Sequence, residues 1–230
     1  MRRLAIVPVL LALAALSVAP AQAATVPPVS KAAKAAGLVD IRSVVPDALI
    51  DLRYATSQNF THTRLYPKNA RCLVHKSMAA GLQTAANHLR KQGYLLVFWD
   101  CYRPHAVQIR MYKIVSDPNW VAKPGPYARS HEAARSVDVS LAHRSLQVHC
   151  PKAYQVHKHC RLDLGTGFDN FTAKAHAYAT QGVRARAVTN RVTLRNAMAA
   201  GGITVYSGEW WHFDGPGALS PRPVLHVPVN

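Results

Sequence analysis

The chain has 230 residues, of which 28 are Lys or Arg and 11 are Asp or Glu, giving a formal net charge of +17 with histidines neutral. That length suits one domain or at most two small ones, and 49% hydrophobic against 17% charged residues supplies a core and excludes intrinsic disorder as the main state. The basic residues are scattered from Lys31 to Arg222, neither clustered in runs nor interleaved with aromatics. This argues against nucleic acid as a partner; weak association with anionic cell-envelope polymers, or a merely solvated surface, accounts for the charge.

Met1, Arg2 and Arg3 make a positive start, Leu4 to Ala19 is almost wholly apolar, and Ala21, Gln22 and Ala23 form a small-x-small cleavage signal. Residues 1–23 therefore read as a secretory signal peptide, with an uncleaved membrane anchor as the alternative. Export would place the mature chain in the periplasm or outside the cell, with no transmembrane segment left after processing. Residues 24–37, with Pro27, Pro28 and many alanines, read as a linker or mobile arm, and residues 38–230 as the folded domain.

Ser77 is placed to cap a helix carrying Met78, Leu82, Ala85, Ala86 and Leu89 at helical spacing, stopped by Gly93. Tyr94 to Trp99 is a continuous apolar run of strand length, Asp100 to Arg103 a turn, and Pro104 opens a helix through about Val115. A Pro/Gly loop over 118–126 precedes a short strand at 137–141. The stretch 150–167 is rich in turn formers and has no period, a helix fits 190–200 ahead of Gly201 and Gly202, and 203–206 and 210–213 are β-prone. Helices and strands without regular alternation predict an α+β fold, a single compact domain whose mainly antiparallel central sheet is flanked by helices.

In an oxidising compartment an even number of cysteines favours disulfides. Cys150 and Cys160 bracket a short polar segment that reads as an inserted loop pinned at its base, which would leave Cys72 and Cys101 as the second pair. A metal site using His157 and His159 beside the first two thiols is the competing reading, and four cysteines permit three connectivities, so the pairing stays open at this level.

His131 stands seven residues before Asp138 in SHEAARSVD, and Glu209 three before His212 in GEWWHFD. Two imidazoles and one carboxylate make a three-ligand zinc site with an open position, and a second carboxylate can serve as base. In one regular strand Glu209 and His212 would point to opposite faces, so a break near Gly208 must re-aim one of them; otherwise EWWHFD is only an aromatic core strand.

The blocks DLRYATSQNF (51–60), WDCYRPHAVQ (99–108), SHEAARSVDVSL (130–141), LGTGFDNF (164–171) and GEWWHF (208–213) resemble, in order, those of the zinc-dependent D-alanyl-D-alanine dipeptidases. The resemblance implies one Zn2+ per chain held by His131, Asp138 and His212, Glu209 as catalytic acid/base, and Arg103 as the cation that stabilises the transition state. It implies Asp169 at the substrate pocket facing a free amine, with Tyr54, Tyr66 and Ser130 at further pocket positions, and a small dipeptide as substrate. A D,D-carboxypeptidase acting on longer stem peptides and a non-catalytic envelope-binding module are the alternatives. Ala134 stands where that family has glycine, so a glycine-only backbone conformation is not expected there.

Overall fold

Tyr94–Asp100, the longest apolar strand of the chain, and Ser136–His143 are both buried along almost their whole length, and they pair at the centre of the molecule. The computed structural model describes residues 26–230. The signal-peptide reading of residues 1–23 lies outside the described residues. The helices are α1 (Lys31–Ala35), α2 (Ala79–Lys91), α3 (His105–Ile114) and α4 (Ala185–Ala200). The strands are β1 (Leu38–Asp40), β2 (Leu49–Ile50), β3 (Leu73–His75), β4 (Tyr94–Asp100), β5 (Tyr127–Ala128), β6 (Ser136–His143), β7 (Gln155–Val156), β8 (His159–Cys160), β9 (Thr204–Val205), β10 (His212–Asp214) and β11 (Arg222–Pro223).

The central sheet has the order β2-β4-β6-β10-β9; β2 lies parallel to β4 and every other pairing in it is antiparallel. This is the expected α+β arrangement. In β6 the side chains alternate, so Val137, Val139 and Leu141 enter one apolar core with Leu82 and Leu89 of α2 and Leu194 and Met198 of α4. Ser136, Asp138 and Ser140 point the other way and are buried too, which a strand with one wet face would not require. Helices α2 and α4 touch closely: a Cβ at Gly81 would sit 2.4 Å from the Gly201 carbonyl oxygen, so glycine at both positions sets the approach. Among the described residues no helix is long and apolar enough to cross a membrane.

Several local expectations are corrected. Part of the 24–37 arm is built into the domain, because Ser30 caps α1, Ala33 is fully buried, and Arg71 donates to the carbonyls of Pro27 and Pro28 at 2.6 and 2.9 Å. Ser77 does not cap α2. A 3-10 turn over Lys76–Met78 comes first, His75 Nδ1 accepts the Ser77 N–H at 3.1 Å, and the Ser77 hydroxyl accepts from Arg135. Helix α4 starts at Ala185, five residues before the expected 190, and its buried stripe of Ala187, Arg191, Leu194 and Met198 contains a cation. Buried Arg191 donates to the carbonyls of Leu164, Lys174 and His176, tying the 163–176 loop to α4. The cysteines, by contrast, pair as expected: Cys72 is bonded to Cys101 and Cys150 to Cys160, the latter closing the β7–β8 hairpin. The imidazoles of His157 and His159 face the carbonyls of Ile50 and His143, so they build no metal site with those sulfurs.

Candidate metal centre and its cavity

Strand register puts the centre together. Asp100 of β4 lies opposite Asp138 of β6, and Asp138 lies opposite His212 of β10, so the three side chains form one row across the sheet. A bulge at Trp99, between Phe98 and Asp100, gives Asp100 that place; without it the strand would present the neighbouring residue. His131 arrives from a 3-10 turn, Ser130–Ala133, that enters β6. The turn closes through two residues in the left-handed region, Ser130 at φ 49° and Ala134 at φ 56°. Ala134 therefore does adopt the conformation that glycine takes most easily, contrary to expectation, and the turn pays the modest strain of a Cβ there. Glu209 precedes β10 in a turn, and the strand begins only at His212, so strand alternation does not separate the two.

His131, Asp138 and His212 are the one group of three or more His, Cys, Asp or Glu residues among those described whose ligand atoms converge, all within 4.8 Å of one another. His131 Nε2 is 3.2 Å and His212 Nδ1 3.1 Å from Asp138 Oδ1, and the two nitrogens are 3.0 Å apart. The opposite ring nitrogens are already engaged: His131 Nδ1 donates to the Cys101 carbonyl at 2.8 Å and His212 Nε2 to Asp214 Oδ1 at 3.1 Å. That tautomer pair leaves one lone pair on each ring aimed at the shared point, the donor chemistry a divalent metal requires. Burial opposes charge on His212, but hydrogen bonds to Asp138 and Asp214 outweigh it and push its pKa up to about 10. Burial would raise the Asp138 pKa, yet the two imidazoles hold it well below the usual carboxylate range.

The centre lies in a cavity of about 410 Å³ whose walls include Glu209, Arg103, Asp169, Tyr54 and Ser130. Glu209 Oε2 is 3.9 Å from His212 Nδ1, adjacent to the ligand atoms without joining them. Burial, with the charge of Asp138, raises its pKa to about 7. Ser130 Oγ is 3.3 Å from His212 Nε2. Asp169 takes φ 56° and accepts the Tyr54 hydroxyl at 3.1 and 3.2 Å. It caps no helix; the next 3-10 turn is flanked by Thr172. Burial and then the carboxylates of Asp138 and Glu209 push the Asp169 pKa well up, against the opposing charge of Arg103 and the Tyr54 hydrogen bond.

Tyr66 is placed otherwise than expected. It does not line the cavity but stands buried behind Arg103, donating to Asp100 Oδ1 at 2.6 Å. Sequence reasoning gave no role to Asp100, although its spacing three before Arg103 was a signal: fully buried, it accepts from Arg103 Nε at 2.9 Å and pairs with NH2 at 2.7 Å. It also missed Gln108, whose Oε1 accepts from Arg103 NH1 at 2.8 Å while Nε2 donates to the Ala122 carbonyl at 2.6 Å. Asp214, two residues after His212 on the same strand face, was the third omission.

The chain is similar to several D-alanyl-D-alanine dipeptidases. The chain is 32% identical over 183 residues to a D-alanyl-D-alanine dipeptidase of Escherichia coli (strain K12), covering 80% of this chain and 86% of that one. It is 27% identical over 213 residues to the D-alanyl-D-alanine dipeptidase of Enterococcus faecium, covering 84% and 98%, and 31% identical over 182 residues to that of Streptomyces coelicolor (strain ATCC BAA-471 / A3(2) / M145), covering 71% and 83%. The profile of the M15 peptidases described as D-ala-D-ala dipeptidase matches residues 34–230. The chain belongs to this family of metallopeptidases.

Proposed function

We propose that this protein is an exported zinc dipeptidase that hydrolyses D-Ala-D-Ala, with His131, Asp138 and His212 holding the metal and Glu209 acting as acid/base. The observation that carries the reading is the division of labour at one point: three donors converge, and a second carboxylate, Glu209, stands beside them without joining them. Zinc in a site of two imidazoles and one carboxylate polarises a carbonyl and lowers the pKa of water to roughly 7. Glu209, with its pKa near 7, takes the proton of the attacking water and passes it to the leaving amine. Arg103 faces the oxyanion. Its Nε, NH1 and NH2 each already hold one internal bond, which immobilises the fork and leaves one N–H on each terminal nitrogen for substrate. Asp169, with Tyr54 on its carboxylate, receives the substrate's free amine. Two disulfides support export.

The test is a mass-spectrometric assay of the mature protein, with and without chelator, on D-Ala-D-Ala, L-Ala-L-Ala, N-acetyl-D-Ala-D-Ala and a stem pentapeptide. Blocking or extending the amine leaves Asp169 unpaired, and kcat/KM should fall at least about 10²-fold. Equal values for dipeptide and pentapeptide would favour the carboxypeptidase reading, for which the exposed cavity-rim residues Tyr127, Tyr206 and Leu219 argue. Turnover of nothing would leave the non-catalytic module.

A further inference from the structure

A second cavity, of about 290 Å³, lies beside the disulfide-pinned hairpin and shares no wall residue with the catalytic one. Trp99 and Trp210 line it, and Trp210 packs edge-on against Trp211 of the catalytic cavity with centroids 5.4 Å apart. Four buried side-chain N or O atoms among the described residues have no hydrogen-bond partner, and two of them, Arg161 Nε and Ser140 Oγ, belong to residues that line this cavity. Arg161 Nε and Arg53 Nε belong to guanidinium groups 5.5 and 5.6 Å from the Trp99 ring, and Ser140 Oγ sits in the cavity wall on a fully buried residue.

The charges here are not balanced. Arg53 pairs with Asp51 at 2.7 Å and Arg184 with Asp163 at 2.6 Å, which accounts for both nearby acids. Arg161 forms no ion pair among the described residues; NH2 donates to the Ala153 carbonyl, and Tyr154 and Trp99 flank the group at 5.7 and 5.5 Å. Tyr154 and Ala153 come from the insertion that Cys150 and Cys160 close, so the insertion builds a wall of this site. Burial, and then Arg53, disfavour the Arg161 charge. In the cavity wall the Arg161 Nε–H can only donate, and the Ser140 hydroxyl can donate with it. A water molecule satisfies some of these donors but leaves the charge uncompensated; an oxoanion satisfies both needs.

We propose that this cavity is a second binding site, for a small oxoanion, a carboxylate or phosphate group, held by Arg161 with Ser140. The proposal does not rest on the dipeptidase reading. The test follows the Trp99 indole N–H, which donates to Asp51 at 3.2 Å, by 15N-correlated NMR of the metal-loaded protein at constant ionic strength. Acetate and inorganic phosphate are the two probes, with chloride as control. A saturable shift with acetate alone assigns a carboxylate site, with phosphate alone a phosphate site, and with both a general oxoanion site. Arg161→Gln should weaken binding at least about tenfold, equivalent to about 1.4 kcal/mol, and Ser140→Ala should weaken it in a protein that keeps every arginine. Glu209→Gln, altered only in the other cavity, should bind as the parent does. No saturable shift with either probe, an unchanged Kd in folded Arg161→Gln or in Ser140→Ala, or a crystal structure grown in phosphate with only water bridging these donors would overturn the proposal.

Discussion

Asp100 is the buried anion on which Arg103 depends. It has no solvent exposure and accepts from Arg103 Nε at 2.9 Å, from NH2 at 2.7 Å and from the Tyr66 hydroxyl at 2.6 Å. Asp100→Ala would leave the guanidinium, itself only 12% exposed, with Asp138 at 3.8 Å as its one remaining carboxylate within 4 Å. Breaking a buried pair by removing one partner costs about 3–5 kcal/mol. For a domain of this size that corresponds to a drop in Tm of roughly 6–20 °C. Asp100→Asn keeps the shape and can still accept from Arg103, so its cost should be about half as large. The decisive comparison is the double variant Asp100→Ala/Arg103→Met. If the cost comes from an orphaned cation, removing that cation recovers part of it. Urea denaturation of the four proteins measures this. A loss below about 1 kcal/mol for Asp100→Ala, or no recovery in the double variant, would refute the reasoning.

Arg103→Ala should lower kcat by about 10²-fold or more, since one oxyanion donor in a dry site is worth about 3 kcal/mol; a change confined to KM would make Arg103 a binding residue. Glu209→Gln should retain stoichiometric zinc by mass spectrometry and lose turnover, and an active variant would remove the acid/base role. Gln108→Met should reduce kcat more than KM while leaving zinc content unchanged, because Gln108 holds Arg103 NH1 and the Ala122 carbonyl together; steady-state kinetics on the folded variant decide it. Asp40 is held by Arg42 and Arg71. Burial would raise its pKa, but these bonds lower it below the unfolded value of 3.8. Its contribution to stability is therefore present above about pH 4 and lost as pH falls through the folded pKa, and Asp40→Asn should flatten the acid limb of an equilibrium unfolding profile.

Much of this molecule follows from one-dimensional pattern alone. The apolar run at 94–99 has no other outcome than a buried strand, and Leu82, Ala85 and Leu89 ahead of Gly93 set a helix and its end, because burial and backbone permissiveness act locally. The spacing of His131, Asp138, Glu209 and His212 was equally legible as a set of residue types. What local pattern could not supply was anything that depends on which strand lies beside which. Asp100, Asp138 and His212 share a row only because β4, β6 and β10 pair in one register, with one extra residue bulged at Trp99, across separations of 38 and 74 positions. The same holds for Tyr66 behind Arg103 and for Gln108 beside it. Helix α4 begins earlier than its pattern suggested, and Arg191, a residue that reads as surface, is buried against carbonyls of a loop some 15 to 27 residues upstream. Periodicity records how each element divides its own faces between core and water. Register, bulges and buried polar partners are set by contacts between distant segments, whose free energy exists only once the chain has closed on itself.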